Sequence, residues 1–303
     1  TMKRVLVTGA TGFVGKHLVA RLSRDGVEGV AVTRTRGAHR PAGWRDVAWP
    51  ARWSALGAPA AAVPDEEESA LRGELERCDA VAHLAAHVPS SHSDLGAAET
   101  CLAVNALATA RLLELAHQVG VPRFVHFGSG NAYDPDGVGP ATEDEFLHPA
   151  RIASFYLGSK ALADLYVENF RRQHGLPTVS LRLSSVYGPG MSSREVVAAF
   201  LAKARARAPL EVRNPSYRAD FVYVDDVVAT AVRALSGTAL GSYNLGSGRG
   251  ATLLELAQAV CARVAPTTEI RVSDAPKEAF GGFRVLDIAR ARTEWGHSPR
   301  SLG

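Results

Sequence analysis

The chain has 303 residues, 46% hydrophobic and 21% charged, which suits a folded protein of one or two domains and excludes a disordered or fibrous one. Lys and Arg number 34 against 31 Asp and Glu; the balance, 34 − 31 = +3, is too small to argue for nucleic acid. No apolar run reaches the roughly 18 residues of a membrane span, and Cys78, Cys101 and Cys261 are too few and too scattered for a disulfide framework.

The first strand, 3–8, carries Val5-Leu6-Val7-Thr8 and runs directly into Gly9-Ala10-Thr11-Gly12-Phe13-Val14-Gly15 and an amphipathic helix over 13–24. A dinucleotide pyrophosphate requires this order. Gly9 permits the tight turn, Gly12 lets the backbone approach phosphates, and Gly15 lets the helix pack closely on the strand. The helix N-terminus offers free N–H groups and a positive dipole end. A second strand reads over 29–33 and ends at Thr33-Arg34-Thr35-Arg36. From Gly37 to Pro64 the chain is rich in Ala, Pro, Gly and Trp, and only Asp46-Val47-Ala48-Trp49 resembles a strand. Asp65-Glu66-Glu67-Glu68 makes an acidic first turn for a helix over 66–77, favourable to its dipole.

Strands over 79–84, 123–128 and 177–183 then alternate with helices over 98–119 and 154–174, as a parallel doubly wound sheet demands. The strand 123–128 runs into Gly128-Ser129-Gly130, which puts Ser129 at a carboxyl strand edge, where open α/β sheets hold their chemistry. Tyr156 and Lys160 lie four residues apart, on one helix face, where an ammonium is expected to lower the pKa of a phenol from its ordinary value near 10. His83, His87 and His92 fall close together, but no Cys or carboxylate pattern accompanies them and no metal is expected. After Gly188-Pro189-Gly190 the helices shorten (about 193–207, 225–236 and 252–264), with short strands between them. The expected architecture is a Rossmann domain over 1–183, to which parts of 220–250 return, and a smaller C-terminal α/β lobe over 184–303.

The chain resembles the extended short-chain dehydrogenase/reductase family, in its nucleotide-sugar epimerase/dehydratase branch. The G-x-x-G-x-x-G spacing, Asp79 to Ala86, Val104-Asn105, Ser129, Tyr156 and Lys160 carry the likeness. So do Leu181 to Gly190, Asp220 to Val227 and Tyr243 to Gly248. The resemblance implies that Ser129, Tyr156 and Lys160 are catalytic. Tyr156 would exchange the proton, Lys160 would tune it and hold the nicotinamide ribose, and Ser129 would bond the reacting oxygen. It implies a cofactor site of Gly9, Thr11, Gly12, Phe13, Val14, Gly15, Thr33, Arg34, Arg36, Leu84, Ala85, Ala86 and Asn105, together with Tyr156 and Lys160.

NAD-preferring relatives place an aspartate at the end of the second strand. Here Thr33, Arg34 and Arg36 stand there, and guanidinium groups pair with a 2′-phosphate, so NADP(H) is favoured over NAD(H). Trp49-Pro50 occupies the place where relatives carry an aspartate and an apolar residue against the adenine. His87, Asn131, Ser185, Arg218 and Arg284 are the expected substrate contacts. The family's asparagine is replaced by Ser185, and Arg218 lies one residue before the family's arginine position, which holds Ala219.

Gly130-Asn131 replaces the aspartate and glutamate that serve elimination, which argues against dehydration and against decarboxylation. The expected function is NADP(H)-dependent reduction of a nucleotide-linked 4-keto-hexose. A nucleotide-sugar 4-epimerase and a non-catalytic NADP-sensing protein are the alternatives. The implied partners are a nucleotide-sugar and a second copy, paired through helices 98–119 and 154–174, with neither nucleic acid nor membrane. With no signal peptide expected before the first strand, the implied location is the cytoplasm. Relatives usually continue beyond Ser298-Pro299 into another short helix.

Overall fold

The structure, a computed structural model, describes residues 2–34, 43–55, 65–90, 94–273 and 280–302. Its first part contains β1 (Arg4–Thr8), α1 (Phe13–Arg24), β2 (Glu28–Thr33), β3 (Trp44–Ala48), α2 (Glu66–Leu75) and β4 (Ala80–His83). Next come α3 (Ala97–Cys101), a π-helical turn (Leu102–Leu107), α4 (Ala108–Val119), β5 (Phe124–Ser129), α5 (Phe155–His174) and β6 (Thr178–Leu183). The remainder comprises β7 (Ser185–Tyr187), α6 (Val196–Arg205), β8 (Leu210–Val212), β9 (Arg218–Tyr223), α7 (Val224–Ser236), β10 (Gly241–Leu245), β11 (Gly250–Thr252), α8 (Leu253–Val264), β12 (Ile270–Val272) and α9 (Ala289–Trp295).

Seven strands form one sheet in the order β10-β6-β5-β4-β1-β2-β3, every neighbouring pair parallel. Both faces of such a sheet are covered, so its strands are apolar on both sides. In β1, Val5 and Val7 pack with Leu18, Leu22, Val227 and Ala231 of α1 and α7, while Leu6 joins Leu71, Leu75, Leu112 and Leu113 of α2 and α4. This alternation follows from the two-residue period of a strand. The helix ends follow from local chemistry. Asp65 caps α2 by accepting from the Glu68 N–H at 2.8 Å, Thr252 and Glu255 form a reciprocal capping box on α8, and α5 stops at Gly175 in the left-handed region.

At Ser184 the chain leaves the large sheet for a small one of order β11-β9-β7, while β12 pairs with β8. Between α6 and α8 a separate core forms around Val197, Phe200, Leu210, Phe221 and Leu256.

Three features depart from the sequence reading. The strand near residue 46 begins earlier, at Trp44, because Gly29 leaves room on β2 for the Trp44 ring. The helix expected over 98–119 is continuous but widens into a π-helical turn at Leu102–Leu107, although no Gly or Pro marks the place. A short helix, α9, lies at 289–295, packed by Trp295 against Tyr243 of β10 at 3.8 Å between ring centroids.

Candidate active site

The glycine turn brings β1, α1 and the end of β4 together. Gly9 has φ +67°, and a Cβ there would lie 2.7 Å from the Ala85 nitrogen; one on Gly15 would strike the Gly9 carbonyl. These two positions therefore require glycine for shape alone. Gly12 caps α1 without a side-chain bond, leaving the N–H groups of its first turn, on Phe13 and Val14, without a side-chain acceptor. Thr11 and Gly12 are exposed, and Phe13 and Val14 half-buried. Open amides at a helix N-terminus, beside backbone that no side chain shields, fit a dinucleotide pyrophosphate.

Thr33 is buried at the end of β2, its carbonyl accepting from the Trp49 N–H at 2.9 Å. Arg34 is exposed and has no hydrogen bond or ion pair among the described residues. Arg36 lies outside the described residues. Trp49 turns inward, its ring parallel to His83 at 6.3 Å and its indole N–H donating to Ser54.

His83 is part of the fold rather than a ligand. The Thr109 hydroxyl donates its one hydrogen to the Asn105 carbonyl (2.7 Å), so His83 Nε2 must donate to Thr109 (2.8 Å). His83 Nδ1 therefore accepts from Thr8 (2.7 Å), whose oxygen in turn accepts from the Ala85 N–H (3.1 Å). Burial, helped by the Lys160 charge, pushes the imidazole down to about 3 and keeps it neutral. The chain of bonds fixes Leu84, Ala85 and Ala86 beside the glycine turn. His92 lies outside the described residues. Asn105, inside the π-helical turn, accepts from the His87 N–H (2.7 Å) and donates to the His87 carbonyl (3.1 Å) and to Ser159 (2.9 Å). Its amide is thus committed to the backbone of His87, which is itself half-buried.

Ser129 ends β5, buried, and its hydroxyl has no partner among the described residues. The half-buried Asn131 follows in a tight 3₁₀ turn. A Cβ on Gly130 would meet Leu286 at 2.6 Å, so the wholly buried Leu286 fills the space a side chain would need. On α5, Lys160 is buried and donates to the Phe127 carbonyl at 2.7 Å. Burial brings its ammonium down to about 8, against the pull of Asp164.

One expectation is corrected here. Lys160 does not lower the Tyr156 phenol in this arrangement. Its charge is spent on the Phe127 carbonyl, and burial, with smaller contributions from Cys101 and Glu195, pushes the phenol up to about 12. The Tyr156 hydroxyl has no hydrogen-bond partner among the described residues.

Behind this pair lies a buried network that the sequence reading missed. Asp164, one turn beyond Lys160, receives Arg182 through Nε (3.1 Å) and Nη2 (2.7 Å) and is also bonded by Ser180. Arg182 donates further to the Tyr133 hydroxyl (2.7 Å) and the Glu143 carbonyl (3.1 Å). Tyr133 donates to Asn244, whose amide reaches the carbonyls of Ala141 and Asp287. Burial works against the Arg182 charge, yet Asp164 and Tyr133 hold its pKa above the usual value. The i, i+4 step from Lys160 to Asp164 was the available signal. A second hub is Asp220, which accepts from the N–H groups of Ser247 (2.6 Å), Gly248 (3.2 Å) and Leu286 (3.2 Å). Its pKa is raised by burial, against those donors.

The expected substrate residues fall in two places. Ser185 is half-buried in β7, opposite Phe221. Arg218 and Arg284 line a cavity of about 710 Å³ with Asp136, Gly250, Phe280 and Phe283. Arg218 is exposed, and its side chain has no bonding partner among the described residues. Arg284 is buried and bonded to Glu145 and to two carbonyls.

A doubly wound parallel sheet, with a glycine turn on its first strand and a Tyr–Lys pair at its carboxyl edge, defines a dinucleotide-dependent enzyme of the short-chain dehydrogenase type. Comparison with known sequences gives the family. The profile of the NAD dependent epimerase/dehydratase family matches residues 5–246. UDP-glucuronic acid decarboxylase 6 of Arabidopsis thaliana is 28% identical, over 98% of this chain and 84% of its own. A dTDP-4-dehydro-6-deoxy-D-allose reductase of a Streptomyces species is 29% identical, over 99% and 93%. Among solved structures, the UDP-glucose 4-epimerase of Thermotoga maritima with UDP-glucose superposes with a TM-score of 0.80 at 26% identity, covering 99% of this chain and 94% of that one. The chain belongs to the NAD dependent epimerase/dehydratase family, within the extended short-chain dehydrogenases/reductases.

Proposed function

We propose that this enzyme reduces a nucleotide-linked 4-keto-hexose at the expense of NADPH. The observation that carries this reading is the Tyr156 hydroxyl, without a hydrogen-bond partner among the described residues and one helical turn from Lys160, at the edge that also holds Ser129. A phenol near 12 stays protonated at neutral pH, the form that gives a proton to an oxygen gaining charge. A dinucleotide whose pyrophosphate lay on the glycine turn would supply the hydride from its nicotinamide. Ser129 donates to the substrate carbonyl oxygen and orients it, and Tyr156 protonates that oxygen as it becomes an alcohol. Lys160, anchored on the Phe127 carbonyl, would hold the nicotinamide ribose. Leu286, packed against Gly130, leaves no room for the acid that elimination needs, which supports reduction over dehydration. Arg34 supports NADPH, because an exposed guanidinium without a partner among the described residues is available to a 2′-phosphate. The Thermotoga likeness favours a second reading, epimerisation at carbon 4 with retained cofactor.

One experiment separates the two. With a nucleotide-4-keto-6-deoxyhexose, loss of nicotinamide absorbance should match alcohol formed, faster with NADPH than with NADH. Arg34→Asp should weaken NADPH binding by about 10–100-fold and spare NADH. Interconversion of two alcohols without net cofactor loss would establish the epimerase instead.

The same reading extends to a homodimer. Phe155, Leu162, Leu165 and Tyr166 of α5 and Leu102 of the π-helical turn remain exposed, an apolar stripe across the helices expected to pair. Leu165→Glu should shift sedimentation from dimer to monomer; an unchanged coefficient would remove this interface.

A further inference from the structure

Of the two arginines on the 710 Å³ cavity, one is already neutralised. Arg284 Nη1 and Nη2 meet the two Glu145 oxygens at 2.5 and 3.2 Å, while Nε and Nη2 donate to the carbonyls of Gly139 and Val138. Its side chain is 5% exposed, whereas that of Glu145 is 38% exposed. The pair is built for. A Cβ on Gly137 would collide with the guanidinium, and the Thr142 N–H holds Glu145 Oε1 at 2.9 Å. The Arg284 hydrogen bond, with the Thr142 bonds assisting, keeps the Glu145 carboxyl below its usual range. Arg218 differs: its stem lies against Gly250, and its guanidinium has no bonding partner among the described residues.

We propose that Glu145 is a specificity-determining residue, which holds Arg284 as a strut of the 138–145 loop and leaves Arg218 to meet the phosphates of the ligand. A second phosphate entering the cavity then finds an arginine whose charge a carboxylate has cancelled, so it adds little to affinity. This rests on the proposed nucleotide-sugar substrate, of which Arg218 and Arg284 on this cavity are expected contacts.

The test is calorimetric titration of the intact protein and of Glu145→Gln with UDP, UMP, dTDP and dTMP. In the intact protein the diphosphate of each pair should bind within about threefold of the monophosphate. Glutamine keeps the shape and one acceptor oxygen but removes the charge, so the diphosphate should gain about tenfold and the monophosphate little. A purely structural role for Glu145 predicts the opposite, weaker binding of all four as the loop loosens. Equal binding in both proteins, or weaker binding in the variant, overturns the inference while leaving the nucleotide reading standing. No binding of any of the four to either protein overturns both. The thermal transition of Glu145→Gln, and the same titrations on Glu145→Asp, which keeps the charge and should keep the narrow ratio, separate an electrostatic effect from lost folding.

Discussion

Replacing Tyr156 with phenylalanine is expected to lower turnover by about 10²-fold or more while cofactor affinity stays within about twofold. The hydroxyl is the only atom group removed, and it bonds nothing among the described residues, so the fold loses no partner. Lys160 keeps its bond to Phe127, and the glycine turn is untouched. Rate and binding therefore separate cleanly. Single-turnover kinetics with a keto-sugar, alongside a fluorescence titration of NADPH, measure both; near-native turnover in the phenylalanine variant would remove Tyr156 from the proton-transfer role.

The second large effect is on stability. Asp164→Ala should cost about 3–5 kcal/mol, because it leaves the Arg182 guanidinium buried without its carboxylate. Side-chain exposures of 10% for Arg182 and 4% for Asp164 allow little rescue by solvent. In a chain of this size the thermal midpoint should fall by on the order of 10 °C. Asp164→Asn, which keeps an acceptor for Arg182, should lose less. A combined Asp164→Leu and Arg182→Met variant should recover much of the difference, since an apolar pair of similar volume has no charge to desolvate. A denaturation midpoint for Asp164→Ala equal to that of the intact protein would mean that the pair contributes nothing.

What the sequence made legible was local. The glycine turn works through three residues within seven positions, and Tyr156 and Lys160 face the same way because a helix repeats every 3.6 residues. The alternation of apolar segments was enough for a parallel sheet. What escaped depended on distance along the chain. Arg182 reaches Tyr133, Asn244 comes from the far strand β10, and Glu145 meets Arg284 across 139 positions. No spacing rule links such residues. The state of the Tyr156 phenol is hidden from the sequence for a related reason. Helical spacing brought Lys160 near, but the Phe127 carbonyl on another element claimed the ammonium. The π-helical turn has no composition signal either. Its role becomes visible only when Asn105 is seen gripping the backbone of His87.

The packing of Leu286 against Gly130 also bears on how such an enzyme can change over generations. An acidic residue cannot simply be placed at position 130, because the leucine already fills its volume. The leucine cannot readily shrink first, because it is wholly buried and its loss would open a void in the small core it shares with Tyr133, Ala141 and Ile288. Each step is unfavourable without the other, so the two positions act as a ratchet. A chain with both residues is free to vary among reactions needing no acid at this point, and gaining eliminating chemistry there would require two coordinated changes in distant codons.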